Sequence, residues 1–546
     1  MRRAAALLLV LAAAAGSARA DTYPRQPGVD VLHYTFRLAL ADDSDRIEGE
    51  ATVSARLADG TGEVFLDRAP PEAASPGRGM TVTAVTEAGQ PLTHERSGER
   101  LRILLARPGR RGERREIVVS YHGVPAGGLL VGPNKHGDRT FFSDNWPNKA
   151  RQWLPVVDHP YDKATAEFRV TAPAHYQVVS NGLLVEETDL GDGRRLSCWR
   201  QSVPIAPWLY VLGVARFAVE HRPAWQGRPI ETWVFPQDRD QGFEAFAEPT
   251  VAALDFFSTR VGPYSYERLA NVQANGVKGG MEAATSILYG DDSVSGPQRR
   301  WDSVIVHEIA HQWFGNAVTE GDWDDVWLSE GFATYFTHLF VEHAEGRDAF
   351  VAGLRSDRDQ IRAFDLKNPG YRIVHDNLSD MKQVTTGAGT YRKGAWTLHM
   401  LRGVVGDEAF WRGIREYYRL YRDKNASTAD FRRVMEEASG RELGWFLDQW
   451  LTRGGMLKVG GSWRWDAAAR VLRLDLEQLQ AADPYRMPVE VAIGVAGEAE
   501  PRTDRVELRE RRQSFAIPLD REPRSVSLDP RDLVLMDALI GPAGPR

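Results

Sequence analysis

The chain has one cysteine, Cys198, among 546 residues. An internal disulfide is therefore excluded, and stability has to come from packing and any bound metal. Cys198 itself reads as a small buried residue of a strand rather than a nucleophile. No stretch beyond residue 20 is apolar for long enough to cross a bilayer, which takes about 20 residues. There is no internal repeat and no long low-complexity segment. Basic residues are not in excess: 68 Lys and Arg face 75 Asp and Glu, a formal charge of −7. That balance gives no reason to expect nucleic acid or an anionic lipid surface as partner. Histidine is scarce as well, 13 in all, so any ordered spacing among histidines is informative.

The first 20 residues differ from the rest. Arg2 and Arg3 precede an apolar stretch over 4–15, and Ala18-Arg19-Ala20 follows. This is the layout of an export leader with an A-x-A cleavage site, and it implies a periplasmic or secreted protein. The paired arginines hint at a twin-arginine signal, but the rest of that motif is absent. No cysteine follows to carry a lipid, and a membrane anchor would need a longer apolar run. Removing Arg2, Arg3 and Arg19, with no acids lost, changes the formal charge from −7 to −10. The remaining length suits two to four domains.

Periodicity divides the chain into three parts. Over 21–235 the patterning is β-rich. Tyr34, Phe36, Leu38 and Leu40 alternate with His33, Thr35, Arg37 and Ala39, as in a half-buried strand. Short runs at 101–106, 116–121 and 177–180 repeat the theme between Gly, Pro and charged clusters. The basic cluster at 107–112 reads as a solvated hairpin loop. Over 236–453 aromatics and leucines recur at three- and four-residue spacing, giving helices at 243–260, 301–314, 330–344, 397–405 and 431–437. After Arg453-Gly454-Gly455 alternation returns at Leu472, Leu474 and Leu476, then at 489–495 and 514–519. A small β-sandwich over 454–546 is expected. The fold class is thus multidomain α+β.

The chemistry lies in His307-Glu308-Ile309-Ala310-His311. Positions i and i+4 share a helix face, so the two histidines can hold one ion. Glu308 points beside that ion, where it could hold a water. With eighteen residues between it and His311, Glu330 opens an apolar helical run and offers a third ligand. Two nitrogens and one carboxylate oxygen leave the fourth tetrahedral position of a catalytic zinc open. The ligand types favour one Zn2+ per chain. The bland alternative is an exposed helix bearing two surface histidines.

The stretch Val318-Thr319-Glu320-Gly321-Asp322-Trp323-Asp324-Asp325-Val326-Trp327-Leu328-Ser329-Glu330-Gly331-Phe332-Ala333 resembles the aminopeptidase N family of zinc metallopeptidases (gluzincins), usually worded V-T-x-x-x-W-x-D-x-W-L-x-E-G-F-A. Gly279-Gly280-Met281-Glu282-Ala283 looks like that family's G-x-M-E-N amine motif, and Tyr391-Arg392-Lys393-Gly394 like its Y-x-K-G segment. The similarity spans about residues 30–455. It implies a thermolysin-like, mainly helical catalytic domain behind a sandwich-like N-terminal β domain. It also implies hydrolysis of the N-terminal peptide bond of peptides with a free amine. Glu308 would be the base, and Tyr391 the hydroxyl donor to the oxyanion. Glu282 would anchor the substrate ammonium, while Gly279 and Gly280 let substrate approach the backbone and Met281 floors the first side-chain pocket. On residues alone, Tyr391 and Met281 could be core and Glu282 a surface acid. Lys393 reads as structural.

Departures from the family pattern bear on the amine site. Ala283 stands where the family has Asn. The family's Gln-x-Glu segment before Ala150-Arg151-Gln152-Trp153-Leu154-Pro155 reads here Phe141-Phe142-Ser143-Asp144-Asn145-Trp146, so Asp144 or Asn145 would have to substitute. Asp325 or Glu320 could orient the histidines, with at least two of Asp322, Asp324 and Asp325 forming a solvated turn. Relatives often carry a large helical domain after the sandwich. The chain ends at Arg546 without room for one, which implies a more open cleft or one covered by a second subunit of a homo-oligomer. Two other readings stay open: a zinc endopeptidase without an amine anchor, and an inactive peptide-binding scaffold.

Overall fold

The computed structural model describes residues 21–69, 77–294, 298–376, 378–384 and 386–543. The leader expected at 1–20 lies outside the described residues. The N-terminal β-rich part is built on an eight-stranded sheet. Its strand Val29–Ala39 pairs parallel with Ala164–Pro173 and antiparallel with Ile47–Leu57. Alternation does what the pattern requires: Tyr34, Phe36 and Leu38 are buried while Arg37 faces solvent. Tyr34, Phe36, Phe168 and Tyr210 meet stacked, tilted or edge-on at 5.0–6.1 Å. The runs at 101–106, 116–121 and 177–180 fall in strands Arg100–Leu104, Glu113–Val124 and Gln177–Ser180. The basic loop after Leu104 is not a hairpin, because the strands it joins belong to different sheets.

A second sheet runs through the part expected to be helical. Ala218–Trp225, Arg228–Val234, Leu269–Ala274, Ser286–Gly290 and Gly280–Met281 form five strands in that spatial order. The reading of helix from residue 236 onward is corrected here: three of these strands lie over 269–290. They are short and, apart from the half-buried Gly280, buried, and a buried strand shows no alternation. Pairing of Ile230 with Leu269 is parallel. A parallel pair needs a crossover, and helix α1 (Arg239–Arg260) supplies it.

Helices α2 (Gln298–His311) and α3 (Trp327–Glu345) pack on α1, with Phe314, Phe332 and Phe336 between them. Then follow α4 (Arg347–Asp365), α5 (Gly394–Val405), α6 (Asp407–Tyr421), α7 (Thr428–Ser439) and α8 (Gly444–Leu451). Helices α4, α6 and α8 are additional to those read from the sequence. In α4 and α6 one narrow apolar face is embedded in a charged surface, so counting aromatics and leucines misses them. Where α3 crosses α5, both backbones present glycine. A Cβ on Gly331 would stand 3.0 Å from the Gly394 Cα.

Residues 457–542 form a four-stranded and a three-stranded sheet. They dock on the helices through Arg355 and Arg358, both paired to Asp532 at 2.8 Å, and through Trp450 stacked on Tyr485. Among the described residues, no helix is long and apolar enough to cross a membrane.

Arg268 joins the N-terminal part to the five-stranded sheet. It is 1 % exposed, pairs with Glu231 at 2.9 Å, and donates to the carbonyls of Ser180 and Gly182. Removing one member of a buried pair leaves the other charge without compensation. Arg268→Met should therefore cost about 3–5 kcal/mol, read as a lower urea midpoint. An unchanged midpoint would show that Glu231 finds another partner.

Candidate active site

The end of α2 and the start of α3 converge. His307 Nε2 and His311 Nε2 are 3.1 Å apart, and Glu330 Oε2 lies 3.5 Å from the first and 3.2 Å from the second. Among the described residues, these three form the group with metal-ligand spacing. Glu330 Oε2 is buried and has no hydrogen-bond partner despite both neighbours. Three possible ligand atoms therefore face one point. Burial alone would raise the Glu330 carboxyl, but the two histidines outweigh it and hold it at about 2.

The buried histidine has a fixed tautomer. His311 Nδ1 lies 3.1 Å from the Phe314 carbonyl and 3.1 Å from Ser329 Oγ. A proton on Nδ1 donated to that carbonyl leaves Nε2 free as a ligand. The contact requires Gly315 (φ +112°), because a Cβ there would stand 2.2 Å from Ser329 Oγ. These partners replace the two acids proposed from the sequence. Asp325 instead accepts from the backbone and hydroxyl of Thr428, the first residue of α7. Glu320 is buried and touches neither histidine by hydrogen bond. The solvated acidic turn is also corrected: Asp324 and Asp325 are buried, and Asp322 caps the turn Trp323–Asp325. Ser329 is adjacent to Glu330, yet nothing in its spacing marks it as a partner for a histidine.

Glu308 lies against the edge strand Gly280–Met281. A Cβ on Gly280 would stand 2.3 Å from the Glu308 carboxyl carbon. The missing side chain at Gly280 thus makes room for Glu308. Gly279 is left-handed (φ +77°) with open space around it, and its carbonyl accepts from the Gly290 amide at 2.9 Å. Burial pushes the Glu308 carboxyl well above the ordinary range; His311 opposes this, and Glu282 and Glu330 add to it.

Glu282 follows that strand and is 5 % exposed. Its main-chain carbonyl accepts from Gln312 Nε2 at 3.0 Å and Asn316 Nδ2 at 2.6 Å. Both donors lie just past the zinc-motif helix, so one turn fixes both halves of the site. Sequence reasoning passed over Gln312 and Asn316, whose adjacency to His311 was the available signal. Glu282 Oε1 is buried without a partner. Burial raises the Glu282 carboxyl to about 7, His311 opposing and Glu330 adding. Ala283 is buried and offers no polar atom.

Tyr391 lies in a π-helical turn, Gly387–Lys393, with its hydroxyl donating to Glu330 Oε1 at 2.7 Å and its ring parallel to His307. Lys393 donates to the carbonyls of Gly455 and Arg453, a structural role. His307, Glu308, His311, Glu330, Glu282 and Tyr391 line one cavity of about 820 Å3, with Met281 on its wall. Asp144 reaches the same cavity, paired with Lys149 at 2.7 Å. Asn145 does not. It is buried between the Tyr210 carbonyl and the Trp153 indole.

Comparison with known proteins agrees with this geometry. Residues 31–209 match the peptidase M1 N-terminal domain, and residues 247–450 match the peptidase family M1 domain. Glutamyl aminopeptidase of Rattus norvegicus is 31 % identical over 359 residues, 63 % of this chain and 37 % of that protein. The chain thus spans little more than a third of the length of that relative. A crystal structure of an M1 zinc metallopeptidase from Deinococcus radiodurans superposes with TM-score 0.66 at 26 % identity, covering 78 % of this chain and 94 % of that one. Legionella pneumophila aminopeptidase A, solved with aspartic acid, matches in fold at TM-score 0.80 and 18 % identity, covering 96 % of this chain and 61 % of that one. With both family domains present in order, and with the histidine–glutamate cluster inside the second, the chain belongs to peptidase family M1.

Proposed function

We propose that the chain is an exported zinc aminopeptidase that removes N-terminal residues from peptides. The observation that carries this reading is the convergence of His307, His311 and Glu330 in the cavity that also holds Glu308 and Glu282. The donor set fits zinc. Ligand atoms about 2.0–2.2 Å from a tetrahedral ion lie about 3.3–3.6 Å apart, against 3.1–3.5 Å here. The unbonded Glu330 Oε2 also calls for a cation. Zinc, when bound, would supply an activated water and polarise the scissile carbonyl.

The chain's own groups do the rest. Glu308 takes a proton from the attacking water and delivers it to the leaving amine. The Tyr391 hydroxyl donates to the oxyanion that develops on the carbonyl. Glu282, with Asp144 behind it, pairs with the substrate's α-ammonium and so fixes the distance from chain end to the attacked bond. The edge strand Gly280–Met281 offers main-chain pairing to an extended peptide. Met281 floors the pocket for the first side chain. The names of the relatives above support an aminopeptidase. The boundary expected at 235 would cut the five-stranded sheet, whose strands Ala218–Trp225 and Arg228–Val234 pair with those at 269–290, so we divide the chain into a leader at 1–20, an N-terminal β domain at 21–217, a catalytic domain at 218–453 and a C-terminal β-sandwich at 454–546.

One peptide series with free or acetylated N-termini tests the amine anchor. Acetylation should slow cleavage about 100-fold, and Glu282→Gln should cost about 10–100-fold on free peptides only, the strength of one charged hydrogen bond. Equal cleavage of both forms would point to an endopeptidase. Gly280→Ala should displace Glu308 and lower kcat about 100-fold with zinc content unchanged, since shifts of about 1 Å cost that much. Full activity in that variant would remove Glu308 from the base role. Chelation should abolish activity and lower Tm, with zinc restoring both, because an ion that binds only the folded state stabilises it.

A further inference from the structure

Residues 21–25 hold a position that ordinary chain packing does not explain. The Asp21 backbone nitrogen lies 3.0 Å from Asp322 Oδ1 and 3.1 Å from Asp322 Oδ2. One amide hydrogen is shared between two carboxylate oxygens. The Asp21 side chain is equally engaged. Its Oδ2 accepts from the Trp323 amide at 3.0 Å and contacts His159 Nε2 at 2.7 Å, and its Oδ1 accepts from the Tyr23 amide at 3.0 Å. Arg25 donates to the Gly321 carbonyl at 2.7 Å and to Asp322 Oδ2 at 2.9 Å. A short segment at the start of the described chain is thus bonded to a loop some 300 residues further on.

That loop leads into the metal-ligand helix. Asp322 accepts from the Asp324 amide at 3.0 Å and caps the turn Trp323–Asp325, after which α3 begins and Glu330 follows within one turn. Trp323 packs edge-on against Trp146 at 5.6 Å and His159 at 6.0 Å. Trp146 lines the active-site cavity beside Asp144. Charge is unbalanced here. Asp21 and Asp322 face Arg25, while burial lowers His159 from its ordinary value. The Asp322 side chain is only 15 % exposed. Burial raises its carboxyl above the usual range; the Asp324 amide opposes this, the Asp21 carboxylate adds to it, and the Asp21 amide and Arg25 oppose it.

Asp21 directly follows Ala18-Arg19-Ala20, the small-x-small site of the leader. We propose that hydrolysis of the Ala20–Asp21 bond is a maturation step, because it creates an α-ammonium at Asp21 that pairs with Asp322 and locks the approach to α3. One water is consumed. Ala20 leaves as a carboxylate on the leader, and the Asp21 nitrogen gains protons. The hydrolase is an external processing peptidase of the export route. An amide brings one N–H and no charge to Asp322, whereas an ammonium brings three N–H donors and the missing positive charge. Ordinary α-amino groups titrate at about 7.7–8.0, so the group is charged at neutral pH before any help from Asp322.

The exported protein should begin at Asp21 by intact mass. Mature protein with a free Asp21 is then compared with the same chain carrying a Gly-Ser extension, each with and without Asp322→Asn. In the wild-type background the extension should lower Tm by about 3 °C, as expected for losing one buried pair in a chain of this size, and kcat/KM several-fold. In Asp322→Asn the free and extended forms should be alike. A mature start elsewhere, equal Tm for free and extended wild-type protein, or an undiminished difference in Asp322→Asn would each overturn the proposal. The wild-type comparison stands alone if Asp322→Asn does not fold, and Tm reads the pair even in a chain without peptidase activity.

Discussion

Three ligand atoms crowded on one point are the constraint on which this structure depends. With no proton or cation between them, His307 Nε2, His311 Nε2 and Glu330 Oε2 would repel, so the surrounding fold has to hold them 3.1–3.5 Å apart. Two come from one helix and follow from its pitch. The third comes from α3, and bringing α3 close enough takes glycines in the contact. Gly331 lets α3 touch the Gly394 backbone, and Gly315 lets Ser329 reach His311. Both follow one rule: where backbone must approach backbone or a fixed side chain, a Cβ is the obstacle.

The same helix end organises the amine side of the cavity. Gln312 and Asn316 hold the Glu282 carbonyl, while His311 between them and the body of α2 faces the metal position. Distance between the two functions is therefore set by one short turn and not by loops that can drift. On the proposed exopeptidase reading, specificity is a fixed length from charge to metal. Glu282, Glu308 and Glu330 are all buried in this space, and such crowding of carboxylates is tolerable only around positive charge, from a metal or from a substrate amine.

Interfaces between distant segments are polar at their centres. Arg268 with Glu231, Asp532 with Arg355 and Arg358, and Asp325 with Thr428 each join stretches far apart in sequence. Of these, Arg268 with Glu231 is a buried ion pair, and such a pair adds little net stability over apolar packing while loss of one member is costly.

The sequence by itself determined the helix of the zinc motif and several strands of the N-terminal part, because these rest on local periodicity. His307 and His311 share a face through helical pitch, and Tyr34, Phe36 and Leu38 share one through the pleat. The strands at 269–290 were not legible, since a strand buried on both sides loses its alternation. Nor were the roles of Gly280, Ser329 and Asp322. Each depends on what the chain brings beside it: the Glu308 carboxylate, the His311 ring and the Asp21 nitrogen. Only tertiary packing decides such neighbours, because the groups that fill a space arrive from segments whose approach no local rule specifies.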